Sequence, residues 1–272
     1  MRGQTITRAL PTTAALLAIT PLSVSALAGT EQLIDFEGLQ NGLIVANGDT
    51  DRGFFPGVSI SVDNFNSSTD LAVIFDTTLS DTEDPDLEGP SWGGGNLPLN
   101  TVMGNALIIQ EGTANRIGND GNVVFKPDDE GRRAAGELTF SFDQDITSFG
   151  FDLIDVEGPE EFGKDSGFFA TFIDGDEQVS IGFGSFVDAS SEFYQPGVAF
   201  GDNSANTIKP ITAEQLGLDS FDEVVINLGG SSAIDNIRFT AVPSPTAAGA
   251  GLVALIGLTA RRRRRTADID TA

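Results

Sequence analysis

The side chains able to do chemistry in this 272-residue chain are carboxylates: 40 Asp and Glu stand against 15 Lys and Arg, with no His and no Cys. Without Cys there is no disulfide framework, no thiolate nucleophile and no thiolate-held zinc or iron–sulfur centre. Without His the usual general base, the usual catalytic triad and the commonest transition-metal ligand are missing. Oxygen chemistry remains. The run Asp84-Pro-Asp86-Leu-Glu88-Gly89 has the alternating oxygens and the glycine turn of the first half of a calcium loop, and Asp76, Asp81 and Glu83 precede it. Its twelfth position is Gly95, not a bidentate Glu, which excludes an EF-hand. Two readings stay open, an irregular calcium site and a solvated acidic loop. Asp235 is of another kind. In the strand-like run Ala233–Phe239 it shares parity with Ile237 and Phe239, which predicts that it points into the core. A buried carboxylate must be protonated, hydrogen-bonded or metal-bound, so Asp235 either ligates calcium or caps a loop by accepting N–H bonds. Asp155, in line with Phe149, Phe151 and Leu153, is expected at a similar strand end.

Paired carboxylates can hydrolyse glycosides, but no pair here stands out by motif. Phosphate-cradling glycine loops, a nucleophile elbow and zinc-binding helices are absent from the sequence. The expectation is a non-catalytic protein, with a carboxylate-based polysaccharide hydrolase and a purely structural envelope or biofilm protein as alternatives. Residues 29–242 hold 8 basic and 38 acidic side chains, a net of −30. Such a field repels nucleic acid and anionic headgroups, so no nucleic acid is expected as a partner.

The elements that must position these groups read as strands. Thirty-two glycines and twenty phenylalanines, against one Tyr and one Trp, indicate a turn-rich β protein with a phenylalanine core. Short apolar runs alternate with Gly, Asp and Asn clusters from residue 30 to 241, the pattern of an antiparallel β-sandwich. Strands are expected at 33–37, 58–62, 71–75, 106–109, 123–125, 137–142, 148–154, 168–173, 179–183, 198–200, 223–228 and 233–239. Leu138, Phe140 and Phe142 share one face, and Phe149, Phe151 and Leu153 another. One short helix is expected, from the capping box Thr212-Ala-Glu-Gln215 to Gly217. Asp174-Gly-Asp176-Glu177 and Asn119-Asp-Gly-Asn122 read as hairpin turns. Residues 77–101 form a long loop, a length that usually serves binding.

Both ends read as sorting signals. Residues 1–28 carry Arg2 and Arg8, the apolar run Ala14–Ile19 and a small-x-small end, Ala26-Leu-Ala28, as in a secretory signal peptide recognised by signal peptidase. Near the other end, 22 residues from Phe239 to Ala260 carry no charge, and Arg261, Arg262, Arg263, Arg264 and Arg265 follow at once. The apolar part, Ala247–Ala260, is near the lower length for crossing a bilayer, and the arginines would hold it on the cytoplasmic side. Val242-Pro243-Ser244-Pro245, the apolar helix and the arginine cluster together resemble the PEP-CTERM sorting signal (242–265), here with Ser244 in place of the usual glutamate and a short tail, 266–272. That resemblance implies export, transient membrane anchoring, cleavage near Pro-Ser-Pro by an exosortase-type enzyme, and delivery to the cell surface or its polysaccharide matrix. A permanent C-terminal anchor is the alternative.

A second resemblance covers residues 29–241. The order Ile34-Asp-Phe-Glu37, Ala72–Asp76, Asp84–Leu87, Gly104–Glu111, Pro127-Asp-Asp129 and Ser232–Ile237 is similar to a β-sandwich ectodomain of exported bacterial proteins, itself like the jelly roll of carbohydrate-binding modules. In calcium-stabilised jelly rolls an acid on the last strand meets acids on the first, which by resemblance assigns calcium to Asp235 and Glu37. Such modules stack sugars on exposed aromatic rings, for which Trp92, in a Gly-rich loop, and Tyr194 are the candidates, followed by Phe54 and Phe55.

Overall fold

The computed structural model describes residues 29–112, 117–156, 158 and 169–243. The expectations for residues 1–28, for Ser244 and Pro245, for the apolar segment and for Arg261–Arg265 lie outside them. Among the described residues no helix is long and apolar enough to cross a membrane.

The chain is all-β and antiparallel. Its strands are β1 (Glu31–Ile34), β2 (Ile44–Asn47), β3 (Thr50–Asp51), β4 (Val58–Asn64), β5 (Leu71–Asp76), β6 (Asn105–Ile109), β7 (Gly136–Ile154), β8 (Ala170–Asp174), β9 (Glu177–Ile181), β10 (Ala205–Thr212), β11 (Phe221–Leu228) and β12 (Ala233–Ala241). Hydrogen bonding runs β3-β2-β5-β6-β12-β7-β11-β8-β9, with β1 on β12 and both β4 and β10 on β7.

The 19-residue β7 organises this network, where the sequence suggested two strands. Its first half lies between β4 and β11, with Phe140 opposite Ile60 and Val224. Its second half lies between β12 and β10, with Phe149 opposite Phe239 and Ile211. One strand thus pairs with four others, and the side chains of all of them meet in one core: Phe140, Phe149, Phe151 and Phe172 are fully buried there, with neighbouring rings 5.7 Å apart from Phe140 through Phe149 to Phe151. Burial alternates along residues 136–142 but is almost continuous from 148 to 154. Alternation marks a half-buried strand; continuous burial marks one covered on both faces. The second cover is the long 77–104 segment, whose Leu87, Trp92 and Met103 pack with Val73, Phe75, Ile108 and Ile154 in a separate apolar cluster.

Several local signals act as their chemistry dictates. Thr212 accepts the N–H of Gln215, whose side chain returns to the Thr212 N–H, and left-handed Gly217 ends the helix (α2, Ala213–Leu216; α1 is Gly184–Val187). β8 and β9 close through Gly175-Asp176, with Asp174 opposite Glu177. Other expectations fail for identifiable reasons. Residues 123–125 make only isolated bridges, Leu43 to Val123 and Ile117 to Val124. Residues 198–200 are not a strand. The first strand stops at Ile34 because Phe36, with φ 55°, turns out of the extended region. Strand β10 is absent from the expected set, since Pro210 interrupts its pattern; a bulge between Ile208 and Ile211 absorbs the proline.

Candidate functional site

The candidate residues fall into three places. The first is the middle of β12. Asp235 is fully buried, as its surroundings in sequence require, but on the face opposite to the one that parity predicts. A bulge with Asn236 at φ 49° interrupts the β12–β7 pairing between Asp235 and Arg238. Ile234, Ile237 and Phe239 therefore enter the main core, while Asp235 stands beside Asp152 on the side of Ala233. Its carboxylate accepts the Asn236 N–H at 2.6 Å and Nδ2 of the same residue at 2.8 Å. Burial pushes its pKa up to about 8 against the pull of the Asn236 N–H, and Asp152, Glu37 and Asp35 push in the same direction. Asp152, missed in the sequence, is held by Arg238 Nη2 (2.7 Å), Thr207 Oγ1 (2.8 Å) and Asn236 Nδ2 (3.0 Å). Glu37 is within electrostatic reach of Asp235, but its own oxygen accepts the Asn105 N–H at 3.3 Å and it is exposed. Asp235 accepts an N–H bond as in the capping alternative, and Glu37 bears on it electrostatically.

The second place is the corner where the C-terminal ends of β6 and β7 meet the start of β12. Here the carboxylates of the acidic half-loop turn in different directions. Pro85–Leu87 wind into a 3₁₀ turn, which buries Leu87, turns Asp84 inward and leaves Asp86 exposed. Glu88 accepts the Thr82 N–H at 2.7 Å, and Asp76 accepts the Thr78 N–H and hydroxyl at 2.9 and 2.6 Å. Both therefore hold loop shape. Asp84 instead meets Asp129, which the sequence did not offer as a site residue, carboxyl to carboxyl. Asp129 is placed by the bridge between Gln110 and itself, and its Oδ2 accepts the Ser231 hydroxyl at 3.0 Å. Burial first, then the charge of Asp84, holds the Asp129 carboxyl well above the ordinary carboxylate range, and Asp155 adds to the effect. Asp155 is itself buried, at φ 60°, and accepts the Asn203 N–H at 2.6 Å. The signal for Asp129 was present: Pro127-Asp-Asp129 adjoins an apolar run, but nothing local says which of two adjacent aspartates turns inward.

The third place is the surface for stacking. Trp92 is only 2% exposed, seals the outer cluster and donates Nε1–H to the Thr101 carbonyl at 2.8 Å. It has no free face for a sugar, and the expectation for it is corrected: an indole next to glycines packs where they let the backbone come close. Tyr194 is 39% exposed. Phe125, which the sequence placed only in a strand, is 71% exposed at the rim of a cleft of about 220 Å³. Asn41, Leu79, Asp81 and the Glu83–Lys126 ion pair line the same cleft.

Among the described residues no group of three or more acidic side chains is already gathered around a point that could hold a metal. The sequence matches no protein-family model, and a search of curated proteins found no match.

Proposed function

We propose that this is an exported, non-catalytic protein of the cell surface or extracellular matrix, a jelly-roll-like β-sandwich over 29–241 that is calcium-stabilised and binds carbohydrate. The observation that carries the reading is the three-part order of residues 242–265: Val242-Pro-Ser-Pro245, an uncharged apolar stretch, and Arg261–Arg265. The fold suits such an arrangement. β1 pairs with β12 antiparallel so that Glu31 lies opposite Thr240, which sets the start of the first strand beside the end of the last. A signal peptide removed at Ala28 and an anchor beginning at Val242 would leave the opposite end facing away from the membrane. Calcium suits a body of net charge −30 that buries carboxylates against each other. Sugar would seat on exposed rings beside polar groups, Phe125 with Asn41 and Asp81, or Tyr194.

The test is to fractionate cells and weigh the mature protein. Recovery at the surface with the leader and the segment after Pro245 removed supports the sorting reading; recovery in the cytoplasm at full mass refutes it. A glycan array in calcium then tests binding, with Phe125→Ala and Tyr194→Ala as controls. Turnover of a polysaccharide panel would favour a carboxylate-based hydrolase, and neither binding nor turnover a purely structural envelope or biofilm protein.

A further inference from the structure

The cleft beside Phe125 offers apolar and polar groups together. Phe125 is the most exposed large apolar side chain among the described residues, and Leu79 and the buried Phe75 line the same cleft. The exposed ring is firmly mounted. Val124, just before it, is buried and donates its N–H to the Gly42 carbonyl at 2.7 Å, and Gly42 donates to the Ile74 carbonyl at 2.7 Å. A Cβ on Gly118 would lie 3.4 Å from Phe125 Cζ, so that segment backs the ring. Asn41, adjoining Gly42, accepts the Asp76 N–H through Oδ1 at 2.9 Å. That bond fixes its amide and leaves the Nδ2 hydrogens for another acceptor. Asp81 is exposed in the same cleft, and among the described contacts its carboxylate receives no hydrogen bond. The turn that carries it is anchored by Thr82, whose N–H and hydroxyl donate to Glu88 Oε1 at 2.7 and 2.9 Å. Glu83 and Lys126 form an ion pair, so the net negative charge of the cleft is that of Asp81.

We propose that this cleft takes one uncharged hexopyranose ring of a polysaccharide, and that Asp81 selects it against uronates and other anionic sugars. The proposal rests on the reading that the protein binds carbohydrate, and it chooses one surface and one class of sugar within it. A pyranose has a C–H face and a rim of hydroxyls, each of which can donate and accept. Its C–H face lies on the phenyl ring, whose negative quadrupole attracts weakly positive C–H bonds. Neighbouring hydroxyls donate to the Asp81 carboxylate, in charge-assisted bonds, and accept from Asn41 Nδ2. The cleft, at about 220 Å³, is smaller than the roughly 300–1,000 Å³ of sites for drug-sized ligands, which suits one ring rather than several. An alkyl chain would cover the ring but leave Asp81 and Asn41 without partners. A uronate would bring a second carboxylate to a site whose lysine is already held by Glu83, on a body of net charge −30.

The test uses the full chain in a sugar-free detergent. On a glycan array, neutral hexose oligosaccharides should be retained. Phe125→Ala should weaken that binding by about tenfold or more, whereas Phe125→Tyr, which keeps a ring, should preserve it. Phe125 is on the surface, so an unchanged Tm shows that the loss is not unfolding. Calorimetric titration then compares oligosaccharides of glucose, mannose and galactose with those of glucuronate and mannuronate. It is run in chelator, below the Tm measured there, so that no calcium bridges a uronate to the acidic surface. The uronates should bind at least about tenfold more weakly. Asp81→Asn should weaken the neutral sugars and narrow that gap, as should high salt. If the array shows sugar binding that Phe125→Ala leaves unchanged, the sugar sits elsewhere, and this site is wrong while the carbohydrate reading survives. Uronates bound as tightly as neutral sugars, or neutral-sugar binding lost in chelator, also overturn the proposal. Binding to no glycan overturns both.

Discussion

Replacing Asp235 with asparagine should invert the pH dependence of stability around one side chain. The Asp235 pKa is raised from 3.8 to about 8, chiefly by burial. A raised carboxyl is a proton that the folded chain keeps and the unfolded chain has released. The slope of unfolding free energy with pH follows protons bound unfolded minus protons bound folded, here negative between those values. Its contribution is therefore full below pH 3.8 and is lost as pH rises towards 8. At about 1.4 kcal/mol per pH unit the loss is on the order of 5 kcal/mol, a large share of a typical domain's stability. The substituted amide would be neutral throughout. It could still accept the Asn236 N–H, but its NH₂ would face Asn236 Nδ2 where a carboxylate oxygen now accepts, forfeiting about 1 kcal/mol. The Asp235→Asn variant should thus be less stable than the wild type by about 1 kcal/mol at pH ~4, cross it near pH ~5, and exceed it by several kcal/mol at pH ~8.5. Urea unfolding at fixed pH in chelator measures the difference, and the raised Asp129, common to both proteins, cancels. Parallel stability curves across that range would refute the reasoning.

Three further outcomes follow from the packing. Phe149→Ala, which removes a fully buried ring packed against Phe140, Phe142 and Phe151, should cost about 3–5 kcal/mol in urea unfolding. Arg238→Gln leaves the nearly buried Asp152 without its cation and should cost about 3 kcal/mol; an unchanged Tm would mean that solvent screens the pair. Gly104 has φ +73°, and a Cβ there would fall 1.8 Å from Glu37 Oε1. Gly104→Ala should therefore destabilise by more in the wild type than in a Glu37→Ala background, where only the backbone strain of about 1–2 kcal/mol remains. Equal costs in the two backgrounds would place Glu37 elsewhere.

How far the site could be read in advance varied with the range of the interactions. Asp235 is legible because a lone acid in an apolar strand has few physical options. Its orientation is not, because a bulge is set by pairing with β7, and a one-residue slip turns a side chain to the other face. Trp92 reads as exposed because glycines surround it; whether a loop lies over a sheet or stands clear of it depends on the sheet's far face. Asp129 could be recognised only once its partner was known, and Asp84 is 45 residues away in the chain.

The amino-acid order by itself determined the all-β class, the phenylalanine core, the capping box at Thr212, the tight turn at Gly175 and the acidic, thiol-free, imidazole-free chemistry. Each depends on near neighbours: period-two alternation, a turn's φ preference, a cap three residues on, or bare composition. Tertiary structure decided that β7 is one strand paired with four others, that residues 77–104 close over a sheet face, and which carboxylates meet in the interior. Those outcomes depend on contacts between segments far apart in the chain, and burial exists only after the layers have come together.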